Sequence, residues 1–225
     1  MYKILRKWWV KILNYKHVDM NLYKRKKHFD YFNSLAYPYL ETTVNIDITE
    51  FLRMVKAHKL PFFLTFCYCI AKAANAVPEL RQRIRDDKII EYENCKVSYT
   101  VALEDETYCY CTIDSNMPFL EYLPYAIKAQ EKAKSEASID EDKHEVNDKF
   151  FISSLPWFSY SSLIQPVPSP ADSNPRIMWG KYFMQDKKTF IPVSIMCNHA
   201  LVDGVHIAKF YRSLDEQIAD IIEYI

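Results

Sequence analysis

One histidine near the C-terminal end of the chain stands in a pattern that could carry acid–base chemistry. His199, Asp203 and Gly204 are spaced as H-x-x-x-D-G. An imidazole can take a proton near neutral pH because the unperturbed pKa of histidine is about 6.5. Acting alone, His199 would serve as a general base toward a hydroxyl group of a substrate. The alternative is a structural histidine beside a glycine that merely completes a turn.

The residues on either side of this motif predict a strand followed by a helix. The run Phe190 to Cys197 is apolar and rich in β-branched residues, which is typical of a buried strand. Asp203 stands at the predicted N-cap of the helix, and Gly204 would allow a tight backbone there. The helix carries apolar residues at i, i+3, i+4 and i+7 spacing: Ile207, Phe210, Tyr211, Leu214, Ile218, Ile221, Ile222 and Ile225. The imidazole is therefore predicted at the end of a strand, where a rigid scaffold can aim it.

Several other kinds of catalytic site are disfavoured by the motifs that the sequence lacks. Average usage would give a chain of this length roughly 15 glycines, whereas this chain has two, Gly180 and Gly204. So few glycines cannot build the cradles of nucleotide and dinucleotide sites. There is no G-x-S-x-G elbow for a serine nucleophile, and no metal-ligand spacing among the histidine, cysteine and acidic residues. We therefore expect no metal. Of the mechanisms considered, direct transfer of a group between two bound substrates remains.

The composition indicates a globular protein without bulk electrostatic attraction to polyanions. Lysine plus arginine and aspartate plus glutamate each number 29, so the formal net charge is zero. This balance predicts neither a nucleic acid nor a membrane as partner. Hydrophobic residues make up 49% of the chain, which argues against disorder. The 17 tyrosines, 13 phenylalanines and 4 tryptophans favour oligomer interfaces or apolar ligand pockets.

The cysteines and the hydropathy pattern predict a cytoplasmic protein. The six cysteines form no C-x-x-C pair, and apolar surroundings favour reduced, buried thiols. The sequence shows no signal peptide and no apolar run long enough to span a bilayer. The basic and aromatic segment Met1 to Leu13 is interpreted as an edge strand or docking arm, with a membrane-surface segment as the alternative.

The order of elements favours one domain over residues 1–225, with residues 1–14 as an N-terminal extension or arm, because no repeat or linker divides the chain. Strands are predicted at Thr42 to Ile48, Lys88 to Tyr92, Lys96 to Leu103, Thr107 to Ile113, Phe150 to Leu155, Phe158 to Leu163 and Ile177 to Gln185. Helices are predicted from Asp47 or Thr49, at Pro61 to Val77, at Pro78 to Arg85, and at Pro118 to Ala137 with Phe119, Leu120, Leu123, Ile127 and Ala133 facing inward. Ser138 to Asp148 and Gln165 to Pro175 are predicted loops, and we call the second the proline-rich loop. The fold class is α/β: a two-layer α+β sandwich with a mixed, mostly antiparallel sheet and helices on one side.

The motif resembles that of chloramphenicol acetyltransferases of the trimeric type, and of the related dihydrolipoyl acyltransferase catalytic domains. The resemblance covers the chain from about Tyr15 to the C-terminus, and it implies the fold of a CoA-dependent acyltransferase. Further segments match the family's pattern in the same order: Tyr23 to Phe29, Val44 to Val55, Ala76 to Arg81, Ser98 to Val101, Ser153 to Trp157 and Gly180 to Tyr182.

The resemblance implies roles for four residues in acetyl transfer. His199 would deprotonate the hydroxyl of the acceptor, and the alkoxide would attack the thioester of acetyl-CoA, the co-substrate. Ser153 would donate a hydrogen bond to the tetrahedral oxyanion. Asp203 and Arg25 would form a buried ion pair that holds the catalytic turn.

The resemblance also implies a homotrimer with its active sites at subunit interfaces, where His199 faces the pocket of a neighbouring copy. CoA would enter by a tunnel from the opposite side. Lys181 and Tyr182 belong to the segment that lines this tunnel in the family, and an ordinary strand role is the alternative for both.

The sequence departs from the family's pattern at a few positions. Tyr23 stands where tryptophan is usual, Asn198 where another histidine is usual, and Met178 where threonine is usual. The proline-rich loop is a further departure. These changes do not affect the residues assigned to acyl transfer. The identity of the acceptor stays undetermined, and it is expected to be chloramphenicol or a similar hydroxylated small molecule.

The sequence disfavours two functions other than acetyl transfer. A dihydrolipoyl acyltransferase core is disfavoured because no lipoyl domain or flexible linker precedes the catalytic part. A non-catalytic binding protein on the same fold is disfavoured because His199, Asp203, Arg25 and Ser153 are all present.

Overall fold

A computed structural model of the chain describes residues 14–139 and 146–225. The segment Met1 to Leu13, interpreted above as an arm, lies outside the described residues. So do residues 140–145 of the first predicted loop. None of the described helices is both long enough and apolar enough to cross a membrane.

The described residues form five α-helices and ten strands. The helices are α1 (Lys26–Asn33), α2 (Thr49–Ala57), α3 (Phe62–Asn75), α4 (Phe119–Glu136) and α5 (Gly204–Tyr224), with 3₁₀ turns at Pro78–Arg81 and Val146–Asp148. The strands are β1 (Tyr15–His17), β2 (Tyr39–Asp47), β3 (Gln82–Arg85), β4 (Lys88–Tyr92), β5 (Lys96–Ala102), β6 (Tyr108–Ile113), β7 (Lys149–Leu155), β8 (Arg176–Gly180), β9 (Phe183–Gln185) and β10 (Lys188–Asn198).

A seven-stranded sheet forms one layer of the molecule. Its order is β2-β10-β8-β7-β5-β6, and β9 adds to it by pairing with β10. Strand β7 runs parallel to both β5 and β8, whereas the other pairs are antiparallel. The predicted mixed, mostly antiparallel sheet is therefore confirmed. A separate three-stranded sheet has the order β1-β4-β3.

Helices α2, α3, α4 and α5 pack together over one face of this sheet. Helix α3 lies at the centre, as its nearly continuous apolar sequence predicts, and nine of its residues are buried. Phe63 contacts the rings of Tyr99 and Trp179 on the sheet below, at centroid distances of 4.9 and 5.2 Å. Since successive side chains of a strand alternate, the residues between these core positions point to the opposite face.

That opposite face carries a row of aligned side chains that crosses the strands, three hydroxyl side chains and one methionine. The register aligns Thr43, Ser194, Met178 and Ser153 on β2, β10, β8 and β7 in turn. Thr43 and Ser194 approach each other with their hydroxyl oxygens 2.7 Å apart. The candidate serine thus lies on the face that the main helical layer does not cover.

Two of the predicted elements were wrong. Pro78 to Arg85 is a 3₁₀ turn followed by strand β3, because Arg83 is fully buried and donates hydrogen bonds to backbone carbonyls, including those of Leu80 and Lys149 at 2.8 Å. Phe158 to Leu163 is not a strand, and its first side chain is 53% exposed. The predicted strand Ile177 to Gln185 is interrupted at Lys181 and Tyr182, which separate β8 from β9.

The buried face of α4 agrees with the prediction in part, since Phe119 is buried and Leu123 and Ala133 pack against the core. Phe119, Tyr122 and Ala126 are buried, whereas Leu120 is 64% exposed and Ile127 is exposed as well. The buried positions share the i, i+3, i+7 spacing of the predicted stripe but lie one residue earlier along the chain. The prediction missed Tyr122 and Ala126, which complete the buried stripe.

Candidate active site

His199 directly follows β10, and its ring is held in one orientation. The imidazole stacks on Phe32 with 3.8 Å between ring centroids and 19° between planes. Its Nδ1 lies 2.9 Å from the carbonyl oxygen of Val202. A carbonyl can only accept, so Nδ1 carries the proton and Nε2 keeps its lone pair. The half-buried ring is thus in the tautomer that a general base requires.

Arg25, just before α1, binds the backbone of the turn that follows His199. Its guanidinium donates to the carbonyl of Leu201, and lies 3.5 Å from that of Ala200 and 3.4 Å from that of His199. An arginine offers five N–H donors in a fixed plane, so one side chain can satisfy several carbonyls of a tight turn. The main partners of Arg25 are therefore backbone carbonyls, which no spacing in the sequence revealed.

Asp203 pairs with Arg25, as predicted, but this pair is not buried in the chain. The closest N···O distance is 3.6 Å, and the aspartate side chain is 46% exposed against 16% for the arginine. Asp203 acts chiefly as the N-cap of α5, where its Oδ1 accepts a hydrogen bond of 2.7 Å from the N–H of Gly204. This hydrogen bond, with a smaller contribution from Arg25, holds the pKa of the Asp203 carboxyl below its usual value.

The two glycines have opposite environments. Gly204 has no positive φ, and a Cβ added to it would meet no atom within 4 Å. Gly204 was expected to allow a tight backbone, and the backbone of the chain at this position does not require a glycine. A Cβ on Gly180 would lie 2.9 Å from the ring of Tyr160 and 3.0 Å from both Phe158 O and Pro192 Cγ. Close packing thus requires glycine at 180 and not at 204.

His206 completes the cap of α5, and sequence reasoning missed it. Its Nδ1 accepts a hydrogen bond of 2.9 Å from the N–H of Asp203, and its Nε2 lies 3.5 Å from Oε1 of Glu79. Burial lowers the pKa of His206 below its ordinary value, against the opposing attraction of Glu79. The signal was present in the sequence, because the third helical position of a capping box bears the reciprocal acceptor.

Asn198 connects the turn that follows His199 to the proline-rich loop. Its Oδ1 accepts from the N–H of Ala200 and its Nδ2 donates to the carbonyl of Asp172, both at 3.0 Å. Asp172 is held in turn by two hydrogen bonds of 2.8 Å from Arg176 and one of 3.0 Å from Tyr39. Asn198 is only 2% exposed, so both of its bonds are made inside the protein. The departure at position 198 therefore has a definite structural role.

Ser153 lies on β7 at a considerable distance from His199 of the same chain. It aligns across two strand spacings with Ser194, and His199 follows Ser194 by five residues along β10. At about 4.8 Å between strands and 3.3 Å per residue, roughly 19 Å of sheet separates the two. The structure therefore does not bring the candidate base and the candidate oxyanion donor together within one chain.

Lys181 and Tyr182 lie near Ser153, at the end of the sheet remote from His199. Both are exposed in the connection between β8 and β9. The preceding residue, Gly180, pairs with Leu155, which is two residues from Ser153. The N–H of Lys181 donates to Phe158 O at 2.9 Å, and the ring of Tyr182 lies 6.0 Å from that of Phe62.

Two clefts among the described residues lie away from the candidate site residues. A polar cleft of about 520 Å³ is lined by Lys72, Asn75, Lys96 and Asp114, among others, and includes none of the candidate site. Within residues 14–139 and 146–225, no group of three histidine, cysteine or acidic side chains is arranged to hold a metal ion.

Comparison with known proteins identifies the family. The family described as chloramphenicol acetyltransferase matches residues 13–215. The chloramphenicol acetyltransferase of a Klebsiella species is 32% identical over 209 residues, covering 92% of this chain and 94% of the relative. A solved chloramphenicol acetyltransferase superposes with a TM-score of 0.80 at 19% identity, covering 91% of this chain and 99% of that one. A probable dihydrolipoamide acetyltransferase of Listeria monocytogenes gives 0.64 at 18% identity, covering 87% and 89%. The match of sequence over nearly the whole length shows that this chain belongs to the chloramphenicol acetyltransferase family of acyltransferase enzymes.

Proposed function

We propose that the chain transfers the acetyl group of acetyl-CoA to a hydroxyl of chloramphenicol. The observation that carries the proposal is the orientation of His199, whose Nδ1–H is bound to the carbonyl of Val202 and whose Nε2 is left as an acceptor. The names of the sequence relatives support both the donor chemistry and the acceptor.

The reaction requires one base and one hydrogen-bond donor. Nε2 of His199 takes the proton of the acceptor hydroxyl, and the oxygen attacks the thioester carbon while the carbonyl electron pair moves onto its oxygen. Ser153 donates a hydrogen bond to this oxyanion, and such a donor is typically worth about 10²–10³ in rate. The intermediate then expels the thiolate of CoA, which takes the proton from the imidazolium. Charge and protons balance without a metal or a covalent enzyme intermediate.

Arg25 and Asp203 keep the base in place in this scheme. The guanidinium fixes the carbonyls of the turn, and Asp203 caps the helix that starts there. An imidazole that is already aimed loses little entropy on reaching the transition state. Both residues are therefore positioning groups and do not contact the reacting atoms.

The active site in this proposal lies between copies of the chain, as in a homotrimer. Since about 19 Å separates Ser153 from His199 within one chain, and a base must come within roughly 3 Å of its proton, a neighbouring copy has to supply one of the two. Exposed apolar side chains favour such contact: Trp157 is 70% exposed and Ile164 is 77% exposed.

Lys181 and Tyr182 are proposed to bind CoA from the serine side of this interface. The exposed ammonium of Lys181 suits the phosphate groups of CoA, and the exposed ring of Tyr182 offers an apolar face. A cytoplasmic location is part of the proposal, because all six cysteines are free, buried thiols.

A different hydroxylated acceptor is the second candidate. Met178 lies directly beside Ser153 in the cross-strand row, where it adds bulk and offers no hydrogen-bond donor next to the reacting carbonyl. The proline-rich loop, held to the turn by Asn198, also lies near this face. Both features favour an acceptor whose shape differs from that of chloramphenicol.

The test is the release of free thiol from acetyl-CoA with chloramphenicol, with a panel of hydroxylated compounds, and with no acceptor. We expect acceptor-dependent release that falls about 10²–10⁴-fold in His199→Gln. His58→Gln is the matched control, since His58 is exposed at the end of α2. Equal turnover in the two variants would contradict the assigned base, and a chain that binds chloramphenicol without turnover would be a binding protein.

A further inference from the structure

The candidate oxyanion donor has a hydroxyl neighbour on the adjacent strand. Tyr99 of β5 pairs with Ile152 of β7 in the parallel register, so the next residues, Thr100 and Ser153, lie side by side. Their hydroxyl oxygens are 3.0 Å apart, which is a hydrogen bond in which either can be the donor. Both side chains point to the sheet face opposite the helical layer, because they alternate with the buried Tyr99 and Ile152.

Ser153 has only one proton, and its direction matters for catalysis. A serine hydroxyl can donate once and accept twice. If Ser153 donates to Thr100, its proton is not available to an oxyanion. If Thr100 donates to Ser153, the proton of Ser153 is free. The neighbour on the other side, Met178, has no donor, so within residues 14–139 and 146–225 Thr100 is the side chain that hydrogen-bonds to Ser153.

We propose that Thr100 is a positioning residue for acetyl transfer: it donates to Oγ of Ser153 and so directs the proton of Ser153 to the oxyanion. The inference rests on the proposed function of Ser153. A donated hydrogen bond polarises the serine hydroxyl, and chains of this kind strengthen each bond cooperatively. The β-branched threonine also keeps its hydroxyl in place, because branching at Cβ restricts χ1. Thr100 itself does not touch the acetyl group.

The same row of the sheet supplies a matched control. Thr43 and Ser194 form a second threonine–serine pair, 2.7 Å apart, on the far side of Met178. Thr43→Val removes a hydroxyl from that pair as Thr100→Val removes one from the pair with Ser153. Each change keeps the shape of the side chain. A general loss of stability or packing would therefore appear in both variants, whereas an effect through Ser153 would appear in one.

The experiment measures kcat and KM for Thr100→Val, Thr100→Ser and Thr43→Val. We expect kcat to fall about 3- to 10-fold in Thr100→Val, with both KM values nearly unchanged, because the hydrogen bond that polarises and orients the Ser153 hydroxyl is lost. Thr100→Ser keeps the hydroxyl and should recover most of the rate. Thr43→Val should match the wild type. A normal kcat in Thr100→Val, or an equal loss in Thr43→Val, would overturn the inference.

A double-mutant cycle with Ser153→Ala separates this inference from the proposed function. We expect Ser153→Ala to lose about 10²–10³-fold in kcat, and the further change Thr100→Val to cost nothing in that background. An equal loss from Thr100→Val in both backgrounds would make its role structural and overturn the inference while leaving Ser153 as the donor. Unchanged turnover in Ser153→Ala alone would overturn both proposals.

Discussion

The turn that carries His199 and the strand that carries Ser153 are held in place by different means. The turn, residues 198–204, is fixed by side-chain contacts: Arg25 binds its carbonyls and Phe32 stacks on the imidazole from outside the turn, and Asn198 bonds within it. Ser153 makes one side-chain hydrogen bond to the described part of the chain, with Thr100, and takes its position from the register of the sheet. We infer that loss of the side chains that hold the turn costs stability and activity together, whereas loss of the Ser153 or Thr100 hydroxyl costs activity alone.

The largest stability effect is expected at Arg25. Arg25→Met leaves several carbonyls of the turn without their donor, and a hydrogen bond from a charged group is worth about 1.5–3 kcal/mol. We expect the free energy of unfolding to fall by about 3 kcal/mol, as measured by urea denaturation. Asp203→Asn is the control: asparagine is an equally good N-cap and the ion pair is half exposed, so about 1 kcal/mol or less should be lost. Equal losses would mean that the ion pair, and not the carbonyls, holds the turn.

Asn198→Ala should be the next largest effect. It leaves the N–H of Ala200 and the carbonyl of Asp172 without their partner in a buried place, which costs about 2 kcal/mol. Thiol release should slow as well, because the turn and the proline-rich loop separate. Asn45→Ala on the exposed side of β2 should change the free energy of unfolding by less than about 0.5 kcal/mol. A stable, fully active Asn198→Ala would show that the loop does not support the turn.

The two glycines provide the reverse case, because close packing restricts the one near Ser153 and not the one in the turn. Gly180→Ala, near Ser153, should destabilise by about 1–3 kcal/mol because the new Cβ overlaps Tyr160 and two other groups. Gly204→Ala, in the turn, should leave the unfolding free energy within about 0.5 kcal/mol of the wild type or raise it. Thermal melting of both variants measures the difference. A severe loss in Gly204→Ala would point to a requirement that the isolated chain does not show.

The smallest effect is a pH dependence that arises from His206. Burial lowers its pKa, and Arg25 and Lys209 act in the same direction, whereas Glu79 and Asp203 oppose them. The unfolded chain therefore binds this proton first as the pH falls. The contribution of His206 to stability is present above the unfolded pKa of about 6.5 and is lost as the pH falls through the lower folded value.

His206→Gln isolates this contribution, because glutamine can still accept from the N–H of Asp203 but does not titrate. Between about pH 7.5 and about pH 5.5, the melting temperature of the wild type should fall more than that of His206→Gln. His58→Gln should follow the wild type. Parallel curves for wild type and His206→Gln would show that His206 does not titrate differently in the two states.

The sequence was sufficient to predict the strand, the helix and the histidine between them. The predicted strand Phe190 to Cys197 lies inside β10, and the predicted apolar stripe of the last helix is buried at Ile207, Phe210 and Leu214. Long, strongly periodic segments specify their own structure. Asp203 was also identified as an N-cap, because capping depends on neighbouring residues.

The sequence was not sufficient where a role depends on distant partners. Arg25 binds carbonyls about 175 residues away, and Asn198 bonds to a loop that is packed beside it only in the folded state. The burial of Arg83 turned a predicted charged helix into a strand for the same reason. The register of the sheet places Met178 and Thr100 on either side of Ser153. It too depends on how distant strands pair and cannot be predicted from the local sequence pattern.

The central claim is that His199 and Ser153 of different copies form one active site, and mixed oligomers test it most directly. His199→Ala and Ser153→Ala are co-expressed with different tags, and oligomers that contain both are purified and assayed for acceptor-dependent thiol release. In a mixed trimer of either composition, one of the three interfaces carries both intact groups, so about a third of the wild-type rate should return. If both groups act within one chain, every chain lacks one of them, and activity no higher than that of the separate variants would contradict the account.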